Sequence, residues 1–156
     1  MTSVRDRVIR HQLWKHVSSV AAMLMLSVSV MAADQYERAV TGEWKLTAAL
    51  DGAEITSIDE KEARQLVGKV FKISRSTIRF GARECGPSDF AAQQVEPGMF
   101  LRKEFHATAD KLRLPTPVTV VDLSCTTVFI KKPNRLVIAW DGWFFDAVKI
   151  KSGPSP

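Results

Sequence analysis

The chain has 156 residues and a formal net charge of +5, with 46% hydrophobic and 25% charged residues. That length suits one domain with a core of its own. Residues 1–33 hold four basic side chains and one acidic one, which leaves 18 Lys/Arg against 16 Asp/Glu beyond them. A near-neutral remainder without a basic stripe interleaved with aromatics excludes nucleic acid as a partner.

The basic side chains Arg5, Arg7, Arg10 and Lys15 precede an apolar run from Val17 to Ala33 that closes on Val30-Met31-Ala32-Ala33. This is the layout of an export signal, with small residues where a peptidase cuts. The other reading is a membrane anchor. Its run contains Ser18, Ser19, Ser27 and Ser29 and sits at the lower limit of the ~17–25 apolar residues that a spanning helix needs. The expectation is a signal peptide over 1–33, a periplasmic or secreted product, and no membrane span once the signal is cleaved.

Asp34–Val40 is a short polar lead-in. In Thr41–Leu50, Trp44, Leu46, Ala48 and Leu50 alternate, which predicts a strand with one apolar face, broken at Asp51-Gly52. Ser57 followed by Glu60 reads as a capping box for a helix whose stripe is Ala63, Leu66 and Val67 and which ends at Gly68. Lys69–Ser74 and Thr77–Phe80 read as a pair of strands closed by Gly81. Cys85–Ser88 is a loop, Phe90–Val95 a strand, and Pro97-Gly98 a turn. Met99–Leu114 fits neither period well and reads as a strand or irregular piece running into a short helical turn.

From Pro117 to Ile150 the chain reads as four consecutive strands. The last two meet at Asp141-Gly142, the dipeptide favoured where a type I′ turn needs positive φ at both central residues. That turn sets Trp140 opposite Trp143, Ile138 opposite Phe145 and Leu136 opposite Ala147. One face of the hairpin is then almost wholly apolar, and the other carries Arg135, Asp146 and mixed residues. The tail, Lys151–Pro156, is Ser/Gly/Pro-rich and expected to be flexible.

Together these elements predict a mainly β protein: an antiparallel barrel or half-barrel of about eight strands over 34–150, with one short α-helix after the first strand. Cys85 and Cys125 are an even pair in an exported chain and predict a disulfide. Beyond residue 33 the only histidine is His106, too little for a metal site, and no cofactor motif is present. His106 with Asp110 and Glu104 would form a proton relay only on a helix, and Ser124 lacks a nucleophile elbow, so no catalytic residue is assigned.

Gly42-x-Trp44, at the start of the first strand, resembles the signature that opens lipocalin-like (calycin) barrels. The resemblance implies a barrel with the Trp packed across its closed end and a mouth at the other. The helix after the first strand departs from that family, and its later signatures are missing. With the two cysteines and the Trp140–Phe145 hairpin, the plan is also similar to small exported bacterial proteins of lipocalin-like form. It implies a non-enzymatic binding module for a small apolar or amphipathic ligand. Trp140, Trp143 and Phe145 are its expected contacts. The alternative is an inhibitor or immunity-type module that blocks a cell-envelope enzyme through a surface loop. Lys131, Lys132, Arg135, Lys149 and Lys151 form either an anion-binding group or a solvated edge that discourages strand addition.

Overall fold

The computed structural model describes residues 35–150, so the expected leader and tail lie outside the described residues. Residues 35–40 are helical, where the sequence reads as a lead-in. Nine antiparallel strands follow: β1 Gly42–Gly52, β2 Val70–Ile73, β3 Ile78–Phe80, β4 Arg83–Cys85, β5 Ala91–Val95, β6 Val118–Asp122, β7 Thr127–Lys132, β8 Arg135–Trp140 and β9 Trp143–Lys149. Two helices interrupt them, α1 Glu60–Leu66 and α2 Pro97–Phe105.

The strands form one sheet in the order β4-β3-β2-β1-β9-β8-β7-β6-β5. Every strand therefore pairs with its neighbour in sequence except at one seam, and β1 pairs with β9. The seam falls between β4 and β5, the two edges of the sheet, so the curl is a half-barrel. Residues 86–90 cross it, and the Cys85–Cys125 disulfide ties β4 to the β6–β7 turn with 6.3 Å between Cα atoms. An open edge invites pairing with another chain. Here three-residue β4 and the cross-seam bond leave little of one edge to pair.

The closing hairpin follows its sequence closely. Asp141 (φ 53°) and Gly142 (φ 81°) both adopt positive φ, and Trp140↔Trp143, Ile138↔Phe145 and Leu136↔Ala147 are in register. The opposite face departs from expectation. Val137, Ala139 and Phe144 are buried there, in a second core with Val118, Val120, Phe129 and Leu101 of α2. Strands β6–β9 are thus covered on both faces. On that face Arg135 and Asp146 remain polar because Asp146 accepts from Lys131 Nζ at 2.9 Å and from Arg135 Nη1 at 3.3 Å.

The second core exists because Pro97–Phe105 is a helix, not a turn leading into a strand. Glu96 caps it, its carboxylate accepting from the amides of Gly98 at 2.9 Å and Met99 at 2.6 Å, and Pro97 takes the first helical position, where a missing N–H costs nothing. His106 ends it in the left-handed region at φ 49°. Phe105 then reaches Phe144, with ring centroids 5.4 Å apart.

Two smaller differences have local causes. The capping box of α1 lies two residues beyond the expected Ser57: Asp59 accepts from the Glu62 amide at 2.8 Å, and Glu62 accepts from the Asp59 amide at 2.9 Å. Ser57 is instead engaged elsewhere, its amide donating to Asp141 O at 3.0 Å. In β1 the alternation holds for Trp44 and Leu46 and then fails. Irregularities between Leu46 and Ala48, and between Ala49 and Asp51, shift its register against β9. Ala49 consequently joins the concave core while Leu50 packs on the other face.

The concave core is filled. Trp44, Phe71 and Phe145 are fully buried, and Phe71 stacks on Phe80 at 5.1 Å. Trp44 donates from Nε1 to Val40 O at 2.7 Å, which ties the helical residues 35–40 beneath the strand.

Candidate functional site

Beside the β8–β9 turn, an open cleft of about 860 Å³ lies between β4, the β6–β7 turn and the closing hairpin. Local sequence explains each wall. Asp122 ends β6 and accepts the Ser124 amide at 2.9 Å, an Asx-type turn that lets Ser124 adopt φ 70°. Ser124 Oγ donates to Pro87 O at 3.3 Å, across the seam. Thr126 is buried, and its hydroxyl donates to Ala139 O, joining this turn to β8. The two cysteines complete that wall.

Trp140 is the residue through which core and cleft meet. It lines the cleft with only 9% of its surface exposed. Inside, it meets Phe71 edge-on at 5.2 Å and Phe80 at 5.5 Å. Outside, the Arg83 guanidinium lies 4.3 Å from its ring centroid. Arg83 also forks onto Asp141, with Nη1 donating to Oδ1 at 2.8 Å and Nη2 to Oδ2. The Asp141 hydrogen bond holds this guanidinium even further towards its charged form than an ordinary arginine. Trp140 Nε1 is buried and has no hydrogen-bond partner. Such an orphaned donor costs about 1–3 kcal/mol.

A second cleft of about 440 Å³ runs between β5 and α2. Phe105, Asp122 and Thr127 line both, so the two depressions adjoin at Asp122. Glu104 of α2 lines the second.

Of the three expected contacts, Trp140 lines the first cleft. Trp143 packs against the concave core, its Nε1 donating to Ile58 O at 2.9 Å, and Phe145 is wholly inside that core. Phe144 and Phe105, which do line the cleft, escape sequence reasoning because their face is apolar only once α2 is recognised as a helix. The cue was available: Glu96-Pro97 is a cap followed by an N1 proline.

The relay of His106 with Asp110 does not form on a helix, since α2 ends at Phe105 and the i, i+4 relation ends with it. His106 has a structural task instead, its carbonyl accepting the Glu54 amide at 3.2 Å. Among the described residues no group of three or more His, Cys, Asp or Glu is placed to hold a metal ion. No helix among them is long and apolar enough to cross a membrane. The basic residues are partly spoken for: Lys131 and Arg135 bind Asp146, and Lys149 lies 5.3 Å from the Trp44 ring. Lys151 lies outside the described residues.

A hydrogen-bonded loop packs on the closing turn. Ala53–Ile58 is fastened to the β8–β9 turn by Ala53 N to Gly142 O at 2.7 Å and by the Ser57 bond described above, and to α2 through His106. At its tip Ile55 is 81% exposed.

No protein-family model, curated protein or solved structure matches this chain at a significant level.

Proposed function

We propose that this protein is an exported, non-enzymatic binding module of lipocalin-like form that takes a small amphipathic ligand at the open end of its half-barrel. One observation carries the reading: a cleft of about 860 Å³ whose aromatic wall, Trp140, is continuous with the packed core. A volume of that size is typical of small-molecule sites. The concave interior is filled by Trp44, Phe71 and Phe145, so the ligand sits at the rim and not inside the curl. Arg83, Asp122 and Ser124 supply the polar rim. The Gly42-x-Trp44 opening, Trp44 buried in the core, and the cross-seam disulfide support the lipocalin-like form and the oxidising compartment.

The test uses N-phenyl-1-naphthylamine, an uncharged apolar fluorophore, and the purified, oxidised protein. Saturable fluorescence enhancement is expected, weakened about fivefold or more in Trp140→Ala and largely kept in Trp140→Phe. Binding indifferent to Trp140→Ala would remove the reading.

A second reading rests on Ile55. An exposed, rigidly held apolar side chain on a convex loop is the form of an inhibitor that fills an apolar pocket of an envelope protein, with little ordering cost on binding. Under it, an envelope protein co-purifies in fixed stoichiometry and is lost in Ile55→Asp, while N-phenyl-1-naphthylamine binding is unchanged. A complex that survives Ile55→Asp would eliminate this loop as the contact.

A further inference from the structure

We infer that the ligand's polar end is a cation: the joined clefts recognise an alkylammonium or similar cationic amphiphile, with Asp122 as the counter-charge. The inference rests on the rim site proposed above and adds the ligand's charge.

The charged residues lining the two clefts are Arg83, Glu84, Asp122, Asp141 and Glu104. Four carboxylates face one guanidinium, although residues 34–156 carry a small positive excess, 18 Lys/Arg against 16 Asp/Glu. Three of those carboxylates have a cation: Asp141 has Arg83, Glu84 has Arg79 at 2.6 Å, and Glu104 has its exposed neighbour Lys103 at 2.9 Å. Among the described residues Asp122 has no ion-pair partner. Asp122 is exposed, and one of its oxygens accepts the Ser124 amide, which orients the group without supplying a counter-charge. It stands where both clefts meet, and Phe105 lines both with it.

The protein already contains a working example of the recognition it needs. Arg83 lies on the face of Trp140 and forks onto Asp141, so one cation is held by an aromatic ring and a carboxylate together. Asp122 and Phe105 both line the two clefts, and among the described residues no cation pairs with Asp122. A ligand ammonium placed there gains a carboxylate, a nearby aromatic and the field of Glu104, while its alkyl chain runs along Phe144 and Trp140. An anionic headgroup in the same place would meet uncompensated negative charge, and such mismatches are what give charged sites their selectivity.

The experiment compares octylammonium with octanoate, equal in chain length and opposite in charge, titrated into the oxidised protein at pH 7 and low ionic strength by intrinsic fluorescence or calorimetry. Octylammonium is expected to bind about tenfold more tightly, the ratio that 1.4 kcal/mol of charge preference produces. The net charge of the chain would, on its own, favour octanoate, so the sign of the preference is diagnostic. In Asp122→Asn, whose Oδ1 can still accept the Ser124 amide and keep the turn, the preference is expected to fall below about threefold. In Glu104→Gln, on the exposed side of α2, it falls by a smaller factor. Equal binding of the two probes, or tighter octanoate, overturns the charge assignment while leaving the rim site standing, as does a full preference surviving in both variants. If neither probe binds, the rim site itself fails, and the charge assignment with it.

Discussion

Gly142→Ala is the sharpest perturbation of the fold around the cleft. Gly142 sits at φ 81°, and a Cβ there would lie 2.6 Å from Ile55 O and 2.7 Å from Thr56 Cα, backbone atoms of the loop that rests on the turn. Left-handed φ costs a non-glycine residue about 1–2 kcal/mol. Relieving the contact requires the loop to lift, which breaks or stretches the Ala53 to Gly142 and Ser57 to Asp141 hydrogen bonds, at about 0.5–1.5 kcal/mol each. The total is about 2–5 kcal/mol. Gly81→Ala is the internal control. Gly81 has φ 61° in the two-residue β3–β4 turn, and nothing lies within 4 Å of its added Cβ, so only the conformational cost applies. Urea unfolding followed by tryptophan fluorescence should place Gly142→Ala about 2 kcal/mol below Gly81→Ala, or roughly 1 M in midpoint at an m of about 2 kcal/mol/M. Equal losses for the two variants, at unchanged m, would refute the packing of the loop on the hairpin.

Reducing Cys85–Cys125 should lower stability by about 4 kcal/mol, the chain-entropy value for a closed loop of this length, read as a drop in urea midpoint when dithiothreitol is added; an unchanged midpoint would contradict it. Asp146→Asn leaves Lys131 Nζ, with a side chain 15% exposed, without its anion, and should cost about 2 kcal/mol, below the ~3–5 of a fully buried pair. The matching change at the exposed Arg64 pair, Glu60→Gln, should cost under about 0.5 kcal/mol by the same chemical denaturation. Glu96 carries the pH dependence of α2. The Gly98 and Met99 amides lower its pKa in the folded protein, so its contribution is present above the unfolded value and is lost as pH falls through the folded one. Glu96→Gln should therefore be less stable than wild type at pH 7, with the gap closing on acidification below the usual Glu range. A gap constant from pH 7 to pH 3 would deny the cap its charge.

The closing hairpin was readable from the sequence to the residue pair because its register is fixed locally: two central residues that accept positive φ leave one way to pair the apolar positions of β8 and β9. The Cys85–Cys125 bond and the burial of Trp44 were readable for a similar reason, each depending on few alternatives. What escaped depends on longer-range packing. Met99–Leu114 has a mixed period because Leu101 faces the core while Met99 stays 66% exposed, so the helix shows only half a stripe. Its burial of Val137, Ala139 and Phe144 is invisible until that helix is placed. The bulges of β1 arise from pairing with β9, which sequence alternation alone does not reveal. Among the site residues, Trp140 was legible as an aromatic at a turn. Asp122 was not, because its significance lies in where two clefts adjoin, and Arg83 was not, because three-residue β4 left no periodic signal.

The proposed rim site is tested most directly by the indole N–H resonances of the ¹⁵N-tryptophan-labelled protein during titration with octylammonium. Trp44 and Trp143 donate to Val40 O and Ile58 O, whereas Trp140, whose Nε1 is buried and unbonded, is the tryptophan that lines the cleft. Rim binding should move the Trp140 resonance progressively and leave that of Trp44 in place. A shift of Trp44 with Trp140 unmoved would put the ligand within the curl of the sheet and contradict the account.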